Sequence, residues 1–157
     1  MRSTKIKIIS LLAVIALISY SFAVSAAQAP LLVDQPAYRM EVSQITDING
    51  KKAVNIKITP KENSKLNPEF PTKLNIKAPV GFKFSKDSFS GSDFSDYKEK
   101  SFEISMPYND SEAKAGGELV VEIRFGTCSV VNGQTKSCMM QSWKLNFKLE
   151  APATVTR

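Results

Sequence analysis

Apolar and polar residues alternate with a period of two along most of the chain. Val54, Ile56 and Ile58 alternate with Asn55 and Lys57, Leu74, Ile76 and Ala78 with Asn75 and Lys77, and Phe102, Ile104 and Met106 with Glu103 and Ser105. The clearest runs are Leu119/Val121/Ile123/Phe125 and Trp143/Leu145/Phe147/Leu149. Successive side chains of a strand point to opposite faces, so each run predicts a strand with one buried and one solvated face. Turn formers separate them: Asn49-Gly50 follows a strand from Tyr38 to Ile48, Pro79-Val80-Gly81 breaks another, and Gly116-Gly117 precedes the Leu119 run. Helical spacing is confined to a turn around Ser111 to Ala115. A series of about seven or eight such strands predicts an all-β chain, an immunoglobulin-like antiparallel β-sandwich, although the Cys…Trp…Cys spacing of true immunoglobulin domains is absent. The longest irregular stretch, Phe84 to Lys98, is rich in Ser, Asp and Phe and longer than a simple connection requires, as loops that carry function often are.

The alternation begins only after a different kind of segment. Arg2, Lys5 and Lys7 precede an apolar run from Ile8 to Ile18 broken only by Ser10, and Val24-Ser25-Ala26 and Ala27-Gln28-Ala29 offer small residues for cleavage. Residues 1–26 therefore read as a secretory signal peptide and 27–157 as a single domain, periplasmic or secreted, with no membrane insertion of the mature domain. The alternative is an uncleaved anchor, since the apolar stretch approaches the roughly 20 residues that span a bilayer. Without the signal's three cations the remaining charge is 18 against 15, or +3, with both signs interspersed. That leaves no continuous basic footprint, and no nucleic-acid partner is expected.

Composition narrows the chemistry. The 157 residues include no His and only two Cys. Imidazole bases, Ser-His-Asp and Cys-His nucleophile systems and His-ligated metal sites are excluded, and two thiols cannot make a four-thiolate centre. No clustered carboxylate motif suggests another metal, and no cofactor is expected. Thiol chemistry or binding remains.

Cys128 and Cys138 flank a segment centred on Asn132-Gly133, a hairpin signal. If the cysteines face each other, residue numbers across the hairpin sum to 266, which sets Ile123 opposite Trp143, Val121 opposite Leu145 and Leu119 opposite Phe147. A slip of one residue would set Ile123 against Lys144 and turn one apolar row to solvent, so burial selects this register. Both cysteines then lie next to each other near the tip, on the face opposite the core. Met139 shares the inward parity of Trp143 and is expected in the core; Met140 shares the outward parity of Cys138 and is either an adaptable docking surface or an incidental exposed residue. In an exported protein the two thiols should form a disulfide. As a staple, closing a loop of about eleven residues contributes roughly 2.5 to 3 kcal/mol in the chain-entropy model. Held between closely spaced opposed strands, the same bond can instead be reducible and redox-active. The residues alone leave both readings open.

The stretch from Pro79 to Leu149 resembles the N-terminal periplasmic domain of the DsbD-type transmembrane thiol:disulfide interchange proteins. Pro79 and Gly81 begin the match, Asp87-Ser88-Phe89-Ser90-Gly91 resembles that family's Asp-x-Phe-x-Gly loop, and Ser101 to Pro107 matches its next strand. Ala115-Gly116-Gly117-Glu118-Leu119 then leads into Phe125-Gly126-Thr127-Cys128, and Cys138 falls on the second cysteine. Upstream, Lys65-Leu66-Asn67-Pro68-Glu69-Phe70-Pro71 is similar to a Lys-x-Asn-x-Glu-aromatic-Pro pattern found in variants of the family. Nine residues lie between the cysteines, more than the family usually has, and Met139-Met140 replace its usual aromatic and proline.

The resemblance implies a sandwich whose Cys128–Cys138 pair relays electrons between a membrane-embedded donor, here a separate protein, and periplasmic oxidoreductases. It further implies a cap loop in which Phe89 shields the disulfide, with Asp87 as the acidic residue beside the sulfurs, and Cys138 as the cysteine exchanged with the partner. Read by themselves, Phe89 suits a core aromatic and Asp87 a turn. With no His, a thiolate would rely on Lys136, Arg124 or backbone N–H groups. The competing expectation is a non-catalytic immunoglobulin-like binding or assembly module with a structural disulfide.

Overall fold

A computed structural model describes residues 28–47 and 49–150; residues 1–26, the expected signal peptide, lie outside them. Among the described residues, eleven strands form two antiparallel sheets. The first sheet runs β1 (Leu31–Asp34), β2 (Tyr38–Thr46), β3 (Lys52–Pro60), β9 (Ser101–Asn109), with β6 (Lys83–Phe84) and β8 (Asp96–Lys98) sharing the far edge of β9. The second runs β11 (Gln134–Leu149), β10 (Gly117–Val131), β5 (Lys73–Lys77), β7 (Ser88–Ser90), and β4 (Ser64–Asn67) adds to β10 above β5.

The period-two rows form the core of this immunoglobulin-like sandwich. Met40, Val42, Val54, Ile56, Ile58, Phe102, Ile104 and Met106 of the first sheet face Leu74, Ile76, Leu119, Val121, Ile123, Phe125, Leu145, Phe147 and Leu149 of the second, all buried. Two expectations at the margins change. Ala78 is exposed because β5 ends at Lys77. The stretch from Phe84 to Lys98 is not a free loop: it crosses from β6 to β7, makes a single 3₁₀ turn at Gly91–Asp93 and returns through β8. Within it the Lys86 ammonium, bonded to Asp93, holds that carboxyl below its usual range.

The long hairpin β10–β11 keeps the expected register from Gly117 opposite Leu149 to Cys128 opposite Cys138. Beyond the cysteines a bulge at Ser129/Val130 shifts the pairing by one residue. That shift lets a two-residue turn close the tip, with Asn132 and Gly133 both at positive φ, 52° and 75°, the left-handed pair that suits the twist of a hairpin.

Candidate functional site

The site is made where β10 acquires two neighbours on one edge. β5 pairs with Val120 to Arg124 and β4 with Gly126 to Ser129, so the chain leaves the ladder after Asn67 and rejoins it at Lys73. Residues 68–72 must pass only one position of β10, Phe125, and the surplus folds out over the outward face. Pro68 and Pro71 favour this strap, since neither can donate to a ladder. Asn67 starts it: its Oδ1 accepts from the Glu69 N–H (3.0 Å), and its carbonyl accepts from the Phe70 N–H (3.3 Å). Tyr97, stacked on Phe102, ties it down through its hydroxyl, which lies 3.1 Å from the carbonyls of Pro68 and Phe70 and 2.9 Å from Thr72 Oγ1.

The strap drops Phe70 onto Gly126. A Cβ at Gly126 would lie 2.6 Å from Phe70 Cγ and 2.7 Å from its Cβ, so the aromatic side chain occupies the place that a residue-126 side chain would fill. Gly126 is the outward neighbour of Cys128 along the strand and faces Met140 across it. Phe70 therefore covers the face of β10 immediately beside the disulfide.

Cys128 and Cys138 form that disulfide, with a Cα separation of 4.0 Å. The pair is asymmetric. Cys128, on the inner strand with Lys65 as its partner on β4, is 2% exposed, whereas Cys138 lies exposed on β11, the edge of the sheet. Both share the outward parity expected of them, but only Cys138 is exposed, because β4 and the strap enclose the inner strand alone. Asn67 Nδ2 lies 3.9 Å from Cys138 Sγ. Since the Asn67 oxygen is engaged by the strap's own turn, its N–H groups are the ones turned to the sulfur.

The other expected site residues are dispersed. Phe89 is 7% exposed in the core, on β7 opposite Leu74, and Leu74 faces Ile123, five residues along β10 from Cys128. Asp87 is exposed beyond β7, its carbonyl accepting from the N–H of Ile76, still farther down the sheet. The 87–91 loop therefore sits away from the sulfurs, and the aromatic placed over their face is Phe70. Met140 is exposed next to Gly126 and Cys138, as its parity required. Met139 faces inward but is 60% exposed, because the arm beyond Thr127 outruns the opposite sheet. Lys136 is bonded to Gln134, and Arg124 lies on the far side of Phe70 from Cys128. The cation in register with Cys128 is Lys65, whose ammonium is held by Glu99 at 2.7 Å.

Asn67, Phe70 and Lys65 were not among the expected site residues. The signal for them lay in the Lys65 to Pro71 pattern, whose two prolines within a polar stretch mark a segment that leaves the sheet. Among the described residues, no helix is long and apolar enough to cross a membrane, and no group of three or more His, Cys, Asp or Glu is placed to hold a metal ion.

No protein-family model matches the chain, and no curated protein matches it. Among solved structures it is similar to the GAE domain of GGA2p from Saccharomyces cerevisiae, at 13% identity and a TM-score of 0.38 over 79% of this chain and 100% of that one. It is likewise similar to the GAE domain of yeast GGA1, at 13% identity and a TM-score of 0.40 over 76% of this chain and 98% of that one.

Proposed function

We propose that the chain is an exported, periplasmic or secreted, thiol–disulfide exchange domain that relays electrons through Cys128–Cys138 between protein partners. The observation that carries this reading is the asymmetry of the pair: one exposed sulfur-bearing residue on a sheet edge with a fixed N–H donor beside it, and one enclosed. A partner thiolate attacks Cys138 Sγ, the Cys128–Cys138 bond breaks, and Cys128 leaves as a thiolate that takes a proton from solvent. A second partner thiol then attacks the partner's own sulfur in the mixed disulfide. It releases Cys138 as a thiolate, oxidising the partner's dithiol to a disulfide as the domain's disulfide is reduced. In the reverse direction the Cys138 thiolate attacks a partner disulfide and Cys128 resolves the mixed species. The Asn67 amide favours the charged sulfur in both directions. The partners this reading calls for are periplasmic oxidoreductases and a membrane-embedded electron donor.

A second reading, a non-catalytic binding or assembly module with a structural disulfide, draws on the 2% exposure of Cys128. Two measurements separate them. Equilibration of the purified domain with glutathione and dithiothreitol buffers should give a reduction potential above about −250 mV for an exchange pair and below about −300 mV for a structural one. In addition, Cys128→Ala should capture partners as mixed disulfides through Cys138, while Cys138→Ala captures none. Should neither variant capture a partner and both only lower the melting temperature, the second reading stands.

A further inference from the structure

The two sheets treat their surface charge differently. Every cation on a strand of the first sheet has a carboxylate within 4.0 Å: Arg39 with Asp34, Lys52 with Asp110, Lys57 with Glu103, Lys83 with Glu112 and Lys98 with Asp96. On the second sheet Lys144 is paired with Glu122 and Lys65 with Glu99, but among the described residues Lys73, Lys77, Arg124, Lys136 and Lys148 have no such partner. Lys73 and Arg124 are moreover direct cross-strand neighbours on one face, a juxtaposition of like charges that weakens strand pairing. They line a hollow on the outward face together with Asn75, Glu122, Ser142 and Lys144. The hollow adjoins the disulfide: Arg124 is one outward position from Gly126 and its Phe70 cover, and two from Cys128.

We infer that this hollow docks an acidic, extended segment of a protein partner, with a carboxylate seated between Lys73 and Arg124 and an apolar side chain against Phe70 and Met140. A carboxylate there supplies the countercharge that the chain itself does not. A peptide fits better than a membrane or nucleic acid because the hollow holds only two unpaired cations, Lys73 and Arg124, with Glu122 beside them matched by Lys144, and Phe70 and Met140 add an apolar step that an extended anionic surface would not use. The geometry also sets a spacing. Cys128 lies four positions along β10 from Arg124, and at about 3.3 Å per residue an extended partner whose cysteine reaches the sulfurs carries its acid about four positions away.

The inference deepens the exchange reading and rests on it for the partner's cysteine, so the test has one arm with a thiol and one without. The thiol probe is a nine-residue peptide with a central cysteine and glutamates four positions to either side; its controls carry lysine or glutamine at those positions. The expected result is exchange with Cys128–Cys138 about tenfold faster for the glutamate peptide than for the lysine peptide at low salt, a preference lost at high salt. Lys73→Gln/Arg124→Gln should abolish the preference while leaving exchange with uncharged 2-mercaptoethanol unchanged. The second arm measures binding of the glutamate peptide with serine in place of cysteine. Binding in that arm without exchange in the first would remove the redox reading and leave the docking site. Exchange without charge preference overturns the docking site, as does a double variant that keeps the preference. Binding to phosphatidylglycerol vesicles that depends on Lys73 and Arg124, with no discrimination among the peptides, overturns it in favour of a membrane surface.

Discussion

The β10–β11 hairpin is one continuous ladder with two different halves. From Gly117 to Phe125 and from Gln141 to Leu149 its inward residues are clamped by the opposite sheet, and Leu119, Val121, Ile123, Phe125 and Leu149 are fully buried. From Gly126 to Met140 the inward positions include Ser129, Val131, Ser137 and Met139, all exposed. The arm is held instead by its outward face, through β4, the strap and the disulfide. The alternation of the first half fixes the fold, and the second half projects chemistry from it. The difference shows how a sandwich can carry a disulfide at a sheet edge without placing its core at risk.

The sharpest test of that division is a pair of truncations. Phe147→Ala removes a buried aromatic and should cost about 3 to 5 kcal/mol in urea unfolding, whereas Met139→Ala, on the arm, should stay within about 0.5 kcal/mol. Equal losses would show that the arm is packed as tightly as the base. Reduction of the disulfide comes next, with an expected loss of at most about 3 kcal/mol. Because the base register is fixed by burial, amide protection from Leu119 to Ile123 should survive reduction; its collapse would make the disulfide a determinant of the whole hairpin.

The base was legible in the sequence because its cause is local: period-two apolar rows on both strands admit one register, and Asn132-Gly133 names the turn. Cys138 and Met140 were legible for the same reason, since parity alone sets their face. The cover over Cys128 was not. Parity places Cys128 outward, and only the pairing of β4 with β10, more than sixty residues away in sequence, buries it. Met139 failed in the opposite sense: parity points it inward, but how far the opposite sheet reaches is not written in the alternation. The same holds for Phe70 and Phe89, aromatics whose roles depend on which segment the topology lays across the face.

The strap offers an intermediate effect. Gly126→Ala puts a methyl group into the Phe70 ring and should lift the strap at a cost of about 1 to 3 kcal/mol. In the Cys138→Ala background the same change should speed alkylation of Cys128, while an unchanged rate would mean that β4 alone encloses that thiol. Tyr97→Phe removes the hydroxyl shared by Pro68, Phe70 and Thr72 and should cost about 1 kcal/mol, with faster hydrogen exchange confined to residues 69–72.

The smallest effect belongs to the seam between the two halves. Trp143 Nε1–H donates to the Tyr38 hydroxyl, Tyr38 faces Gln141 Oε1 at 3.5 Å, and Gln141 Nε2–H donates to Thr127 Oγ1 at 3.0 Å, so a polar chain closes the core where the arm begins. Burial pushes the Tyr38 hydroxyl above its ordinary value of 10.0, and the indole donation only partly offsets this. The unfolded chain therefore ionises first as pH rises. The stabilisation is whole below about pH 10 and is lost as pH climbs through the raised folded value. Tyr108, on β9 of the same sheet, is pushed up to about 12 chiefly by burial and then by Asp110, and adds a second decline of the same sign. Urea unfolding between pH 8 and about pH 11.5 should thus show stability falling in the wild type and falling less steeply in Tyr38→Phe. The variant starts from a neutral-pH loss of about 1 kcal/mol for the orphaned indole N–H. If the alkaline slope does not change, Tyr38 is solvated enough to ionise in the fold, and the seam is open to water where the two halves meet.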